Sequence, residues 1–233
     1  MNIAIILAGG TGSRVASDIP KQFIELSGQM MIMHSLKPFA DSKMVDGIQI
    51  VAGSAWRDKI ESEICGGEDS ELTRKFMGFS DPGENRQMSI YNALKDIESS
   101  SEGVGGVIIH DAARPFVTVE DIDECLKTLD AHDGAMPVLP MKDTVYFSRS
   151  GKKVDELLNR NCIYAGQAPE AFRFTEYLRA NEELLPDKIL LIKGSTEPAI
   201  MAGLDVAMIP GNQLNFKVTT GEDLERAREI LER

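Results

Sequence analysis

"IAIILAGGTGSR", residues 3–14, decides the fold: an unbroken apolar run stops at glycines, with an arginine just beyond them. Consecutive apolar residues suit a strand covered on both faces, as in a parallel sheet flanked by helices. Glycines placed directly after such a strand let ligand atoms approach backbone N–H groups without interference from side chains. By themselves Gly9, Gly10 and Gly12 fit a tight turn as well as a phosphate loop. The Gly-Lys-Ser/Thr ending of a nucleotide-binding loop is missing, and Val15 stands where a dinucleotide fingerprint needs its third glycine. Two cations follow closely, Arg14 and Lys21, the second fixed behind Pro20. Held near a phosphate-binding loop, such cations stabilise charge that develops as a phosphorus is attacked; isolated on a surface, they are simply solvated.

Working outward, similar apolar runs recur at "GIQIVA" (47–52), "GVIIH" (106–110), "AMPVLP" (135–140) and "DVAMIP" (205–210). Helical periodicity fills the segments 29–40, 86–100, 119–132, 175–185 and 219–233, the last opening on threonine and early acids that satisfy its first amides. Strands alternating with helices predict an α/β domain whose ligands sit beyond the carboxyl ends of the strands. The loops to watch are "AGGTGSR" after the first strand and "HDAARPF" after "GVII". Segments 66–71 and 98–106 read as solvated loops. Residues 141–168 break the alternation with short extended pieces around a Ser-Gly turn, and read as a β-arm of the kind that docks on a second subunit, or as a long surface hairpin.

Composition bounds the function. The chain has 233 residues, 42% hydrophobic and 27% charged, enough for one large domain with a full core. Its formal net charge of −12 disfavours general nucleic-acid binding, which depends on neutralising phosphates. An anionic ligand must therefore meet a local cluster of Arg and Lys. Three cysteines without CxxC spacing indicate neither a disulfide framework nor a zinc site. No run approaches the ~18 apolar residues of a membrane span, and no basic leader precedes the first apolar run, so a cytoplasmic location is expected.

Together "LAGGTGSR…PKQF", "GENRQMSIYNAL", "IIHDAARPFV", "PMKDTV", "NRNCIYAGQAPEAF" and "NFKVTTGEDL" resemble, in order and over nearly the whole chain, the cytidylyltransferases that activate sugar-alcohol phosphates. The best-known member acts on 2-C-methyl-D-erythritol 4-phosphate, and a close relative on ribitol 5-phosphate. The resemblance implies a single Rossmann-like nucleotidyltransferase domain, mainly parallel, with the β-arm at 141–168 serving a homodimer. It implies that Leu7, Ala8, Gly9, Gly10, Gly83, Glu84, Arg86 and Ser89 surround CTP. Arg14 and Lys21 would grip the triphosphate, while Asp111, Arg114 and Thr144 would contact the polyol phosphate. Arg160, on the arm, and Lys217 would position that phosphate, Arg160 in the partner's site. Mg²⁺ would arrive mainly on the triphosphate, with Asp111 as the candidate protein ligand.

These positions make chemical sense. A phosphate nucleophile is already an anion at neutral pH, so the task is to bring two repelling groups together, which calls for cations and rigid positioning rather than a base. His110, ending a buried strand, reads as a structural hydrogen-bonding group. Asp111 has a competing role, capping the "AARPF" turn. The chain departs from the family pattern in "GQAPEAF" (166–172), where Ala168 and Glu170 replace the usual threonine and glutamine, and in "KGSTEPAI" (193–200). The acceptor therefore stays open between methylerythritol 4-phosphate, which we favour, and ribitol 5-phosphate. A non-catalytic nucleotide-binding regulator is the reading from another class; the presence of both Arg14 and Lys21 argues against it.

Overall fold

The opening apolar run forms β1 (Asn2–Leu7), and its alternate residues explain why it has no polar face. Ile3 and Ile5 pack into one core with Ile90, Leu94, Tyr177 and Leu178, while Ala4 and Ile6 pack into another with Leu36, Phe39, Ile122 and Leu126. A strand sandwiched between two helical layers buries both sets of side chains, each large one contributing roughly 1.5–3 kcal/mol. The computed structural model describes residues 1–10, 19–67 and 69–232. Arg14, Gly12 and Val15 lie outside them.

After β1 the chain makes the small hairpin β2 (Glu25–Leu26) and β3 (Gln29–Met30), then α1 (Met31–Asp41) and β4 (Gly47–Val51). Next come α2 (Ser54–Gly66), α3 (Ser70–Lys75), β5 (Phe76–Ser80), α4 (Arg86–Ser100) and β6 (Gly106–Asp111). The second half runs α5 (Val119–Thr128), β7 (Gly134–Pro140), β8 (Val145–Phe147), β9 (Glu156–Leu158), β10 (Tyr164–Gly166) and β11 (Glu170–Arg173). It closes with α6 (Phe174–Glu182), α7 (Glu197–Met201), β12 (Val206–Pro210) and α8 (Gly221–Leu231).

The central sheet has the order β10-β7-β11-β6-β1-β4-β5, with β12 also paired to β7. β1, β4, β5 and β6 are mutually parallel, and β12 is parallel to β7; β11 and β10 run antiparallel to their neighbours. The fold is thus a single α/β domain on a mainly parallel sheet. From β1 the chain moves out through β4 to β5, then returns to the other side of β1 as β6. That reversal opens a crevice at the carboxyl ends of β1 and β6, the place where open α/β sheets bind ligands.

The segments expected to be loops differ in part. Residue 66 ends α2, residues 70–75 form α3, capped by the Asp69 side chain on the Leu72 amide, and α4 extends through Ser100. α8 begins where expected: Thr220 and Asp223 form a reciprocal capping box. Within 141–168, β8 and β9 form a two-stranded ladder of their own, whereas β10 pairs with β7 in the main sheet. Tyr146, Phe147, Val154 and Leu157, on and beside that ladder, are 42–61% exposed. Among the described residues no helix is long and apolar enough to cross a membrane.

Candidate active site

The site grows from the end of β1. The Ala8 amide continues the ladder to the Val51 carbonyl at 2.8 Å, after which the chain leaves the sheet. Gln22, buried behind the loop, donates from Nε2 to the carbonyls of Ala8 (2.6 Å) and Gly10 (2.7 Å), holding the described part of the glycine loop from behind. Gln22 sits in a 3-10 turn, Lys21–Phe23, anchored by Phe23 stacking on Trp56 with ring centroids 4.2 Å apart. Lys21 is the first residue of that turn, and its ammonium donates to the Val218 carbonyl at 2.6 Å. Val218 in turn donates to the Ala113 carbonyl at 2.8 Å, so the three distant motifs "PKQF", "HDAAR" and "FKVTT" are tied together.

The opposite wall is the start of α4. Asn85 caps it, accepting the Met88 amide at 2.8 Å, and Ser89 Oγ accepts the Gly83 amide at 3.0 Å. Gly83 admits no side chain: a Cβ there would lie 2.4 Å from Met88 Cβ and 2.7 Å from the Met88 carbonyl carbon. A capped helix start with its positive dipole end facing a crevice favours an anion. Leu7, Gly9, Gly10, Lys21, Gly83, Glu84, Arg86, Ser89, Asp111 and Lys217 line one cleft of about 380 Å³. Ala8 is buried beside it and contributes the carbonyl held by Gln22.

At the cleft floor Asp111 gathers the cations. Its carboxylate meets Lys217 Nζ at 2.8 Å, Arg86 Nε at 3.1 Å and Arg114 Nε at 3.8 Å. Burial alone would raise its pKa, but Arg86, Lys217 and Arg114 more than offset this and hold the carboxyl well below the usual carboxylate range. Removing one partner from a buried ion pair costs about 3–5 kcal/mol, so Asp111 acts first as the counter-ion that lets three cations share a small space. That occupation does not suit the metal-ligand role expected of Asp111. Among the described residues no three His, Cys, Asp or Glu groups come together to hold an ion.

His110 fills its structural role. Its ring is fully buried, hydrogen-bonded through Nε2 to the Arg114 carbonyl at 3.1 Å, and burial pulls its pKa down to about 4. It is neutral at working pH and inaccessible as a base. Cys125 is likewise buried, which pushes its thiol upward and out of use as a nucleophile.

Other expected residues stand apart from this cleft. Arg114 packs behind it, donating from Nη1 to the Asn215 carbonyl at 2.8 Å. Thr144 is exposed just before β8. Arg160 is exposed in the 3-10 turn Arg160–Cys162 and donates to the Lys142 carbonyl at 2.8 Å. Neither Thr144 nor Arg160 lines the cleft of its own chain. Ala168 and Glu170, the departures from the family pattern, are buried behind the cleft rather than lining it. Gln22, Asn85 and Ser195 were not singled out from sequence. The first two lie inside quoted motifs and could have been found as loop-bracing and capping groups; Ser195 lies in "KGSTEPAI", a stretch noted for departing from the family pattern, but nothing in it points to Arg86.

The described geometry, a glycine loop and helix start facing clustered cations, agrees with comparison to known proteins. The family model described as 2-C-methyl-D-erythritol 4-phosphate cytidylyltransferase matches residues 2–233. The protein of that name from Thermotoga neapolitana is 34% identical over 230 residues, covering 99% of this chain and 96% of its own. The chloroplastic one from Oryza sativa subsp. japonica is 32% identical, covering 97% and 73%. Among solved structures, 4-diphosphocytidyl-2C-methyl-D-erythritol synthase from Anaerococcus prevotii superposes with a TM-score of 0.85 at 23% identity, covering 100% and 96%. The Francisella tularensis 2-C-methyl-D-erythritol 4-phosphate cytidylyltransferase gives 0.78 at 25% identity, covering 98% of each chain. The chain belongs to the 2-C-methyl-D-erythritol 4-phosphate cytidylyltransferase (IspD) family.

Proposed function

We propose that this chain transfers CMP from CTP to 2-C-methyl-D-erythritol 4-phosphate. An oxygen of the acceptor phosphate attacks the α-phosphorus of CTP, a new P–O bond forms, and the bond to the β-phosphate oxygen breaks to release pyrophosphate. The observation that carries this reading is the meeting of Lys21, Arg86 and Lys217 with the glycine loop in one cleft at the sheet's reversal point. The loop around Gly9 and Gly10 and the start of α4 offer amides to the triphosphate. Gly83, Glu84 and Ser89, which line the same cleft, would surround the nucleoside. Lys21, with Arg14 from the neighbouring segment, would neutralise charge as pyrophosphate departs, while Lys217 and Asp111 order the acceptor side. Mg²⁺ enters as part of the substrate, carried on the triphosphate and lowering its charge.

The same reading makes the molecule a homodimer. The exposed apolar side chains of the β8–β9 ladder need cover, which a second copy supplies, and the arm then delivers Arg160 to the partner's cleft. Three free cysteines suit a reducing cytoplasm.

Pyrophosphate release from Mg·CTP, followed with methylerythritol 4-phosphate, ribitol 5-phosphate or no acceptor, tests the proposal. Turnover with the first alone is expected. Preference for ribitol 5-phosphate reassigns the acceptor, and no release with either acceptor supports the non-catalytic regulator instead.

A further inference from the structure

We propose that Glu170 is a positioning residue for Arg86, acting through the hydroxyl of Ser195. The inference rests on the function proposed above, because Arg86 matters only if the cleft binds CTP.

Glu170 opens β11 and is 9% exposed, so its carboxyl must find donors inside the protein. It finds the hydroxyls of Ser195 and Thr196, the latter at 3.2 Å. Ser195 has a single hydroxyl proton. Given to Glu170, it leaves the oxygen lone pairs as acceptors, and Arg86 Nη1 donates into them at 2.6 Å. Arg86 is therefore gripped on two sides of its planar guanidinium, by Asp111 at Nε and by Ser195 at Nη1. A planar cation held at two points has a fixed orientation, leaving Nη2 for a ligand. Without Glu170 the Ser195 hydroxyl is free to turn its proton toward Arg86, so that donor faces donor.

Ser195 is itself well placed to transmit this constraint. Its carbonyl accepts the Tyr177 hydroxyl at 2.7 Å, and the Tyr177 ring stacks on Phe172 with centroids 4.1 Å apart. Gln87, next to Arg86 on α4, donates to the same Tyr177 hydroxyl at 3.1 Å and to Asn181 at 2.6 Å. The relay is thus built on rigid, buried elements. Burial raises the Glu170 pKa while Arg86 lowers it, with burial the larger influence. The link to Ser195 survives in either protonation state, because the carboxyl keeps an acceptor oxygen.

Steady-state kinetics on the full chain with Mg·CTP and methylerythritol 4-phosphate test the relay in S195A, E170A, the double variant and E170Q. Loss of a hydrogen bond to a charged group predicts an increase of about tenfold in KM for CTP in S195A and E170A, with kcat within about threefold. The double variant should lose no more than either single one, since both break the same chain. E170Q keeps an acceptor oxygen and should recover most of the loss. Independent, multiplying effects, an unchanged KM in both single variants, or an E170Q no better than E170A would overturn the inference. Should E170A fail to fold, S195A and E170Q still decide it. If the unsubstituted chain shows no turnover, it is the proposed reaction that fails, not the relay.

Discussion

Lys21→Ala is expected to lower kcat by at least ~10²-fold while changing CTP affinity only modestly, as loss of a cation acting on developing charge commonly does. The side chain sits at the head of a turn locked by Pro20 and by Phe23 on Trp56, and its ammonium reaches across to the segment that carries Lys217. Its ammonium donates to a backbone carbonyl at the edge of the cleft rather than filling the core, so the fold should be retained. Stopped-flow or steady-state pyrophosphate release checks the effect, with thermal unfolding to confirm folding. An unaltered kcat would remove Lys21 from the mechanism.

Mixing Lys21→Ala with Arg160→Ala subunits is expected to restore activity that neither possesses alone. If Arg160 serves the partner's cleft, each mixed dimer contains one site with both residues intact and one lacking both. Random exchange of equal amounts makes half the dimers mixed, so about one quarter of the unsubstituted activity should return. The structure motivates the test: Arg160 lies outside its own chain's cleft, next to an apolar ladder left uncovered in a single copy. No recovery after demonstrated subunit exchange would contradict a shared site.

Legibility followed periodicity. Strands buried on both faces, β1, β4 and β6, were readable as apolar runs, and α4 was read at its observed bounds because its apolar residues repeat regularly into one core. α2 escaped notice because it buries only Ile60 and Ile64, too few to mark a face. β5 is interrupted by Gly78 at φ +116° and by a register shift against β4, which breaks the apolar run. β11 is four residues with charged ends, and only its antiparallel place between β6 and β7 makes it a strand. In the site, Lys21 and Asp111 were legible because each lies in or just beyond a loop that follows a buried strand, whereas Lys217 was reached only through the family resemblance. The Glu170–Ser195 contact was not: the residues are 25 positions apart, and nothing local in either segment signals the other.

The central claim is that the phosphates of both substrates meet in the cleft between the glycine loop, Lys21 and Lys217. A crystal structure of the chain with Mg²⁺ and CTP tests it most directly. The account predicts the triphosphate lying over Gly9 and Gly10, with Lys21 Nζ about 3 Å from a phosphate oxygen and Lys217 facing the α-phosphorus from the acceptor side. A triphosphate bound elsewhere, with Lys21 and Lys217 still committed to protein oxygens alone, would contradict it.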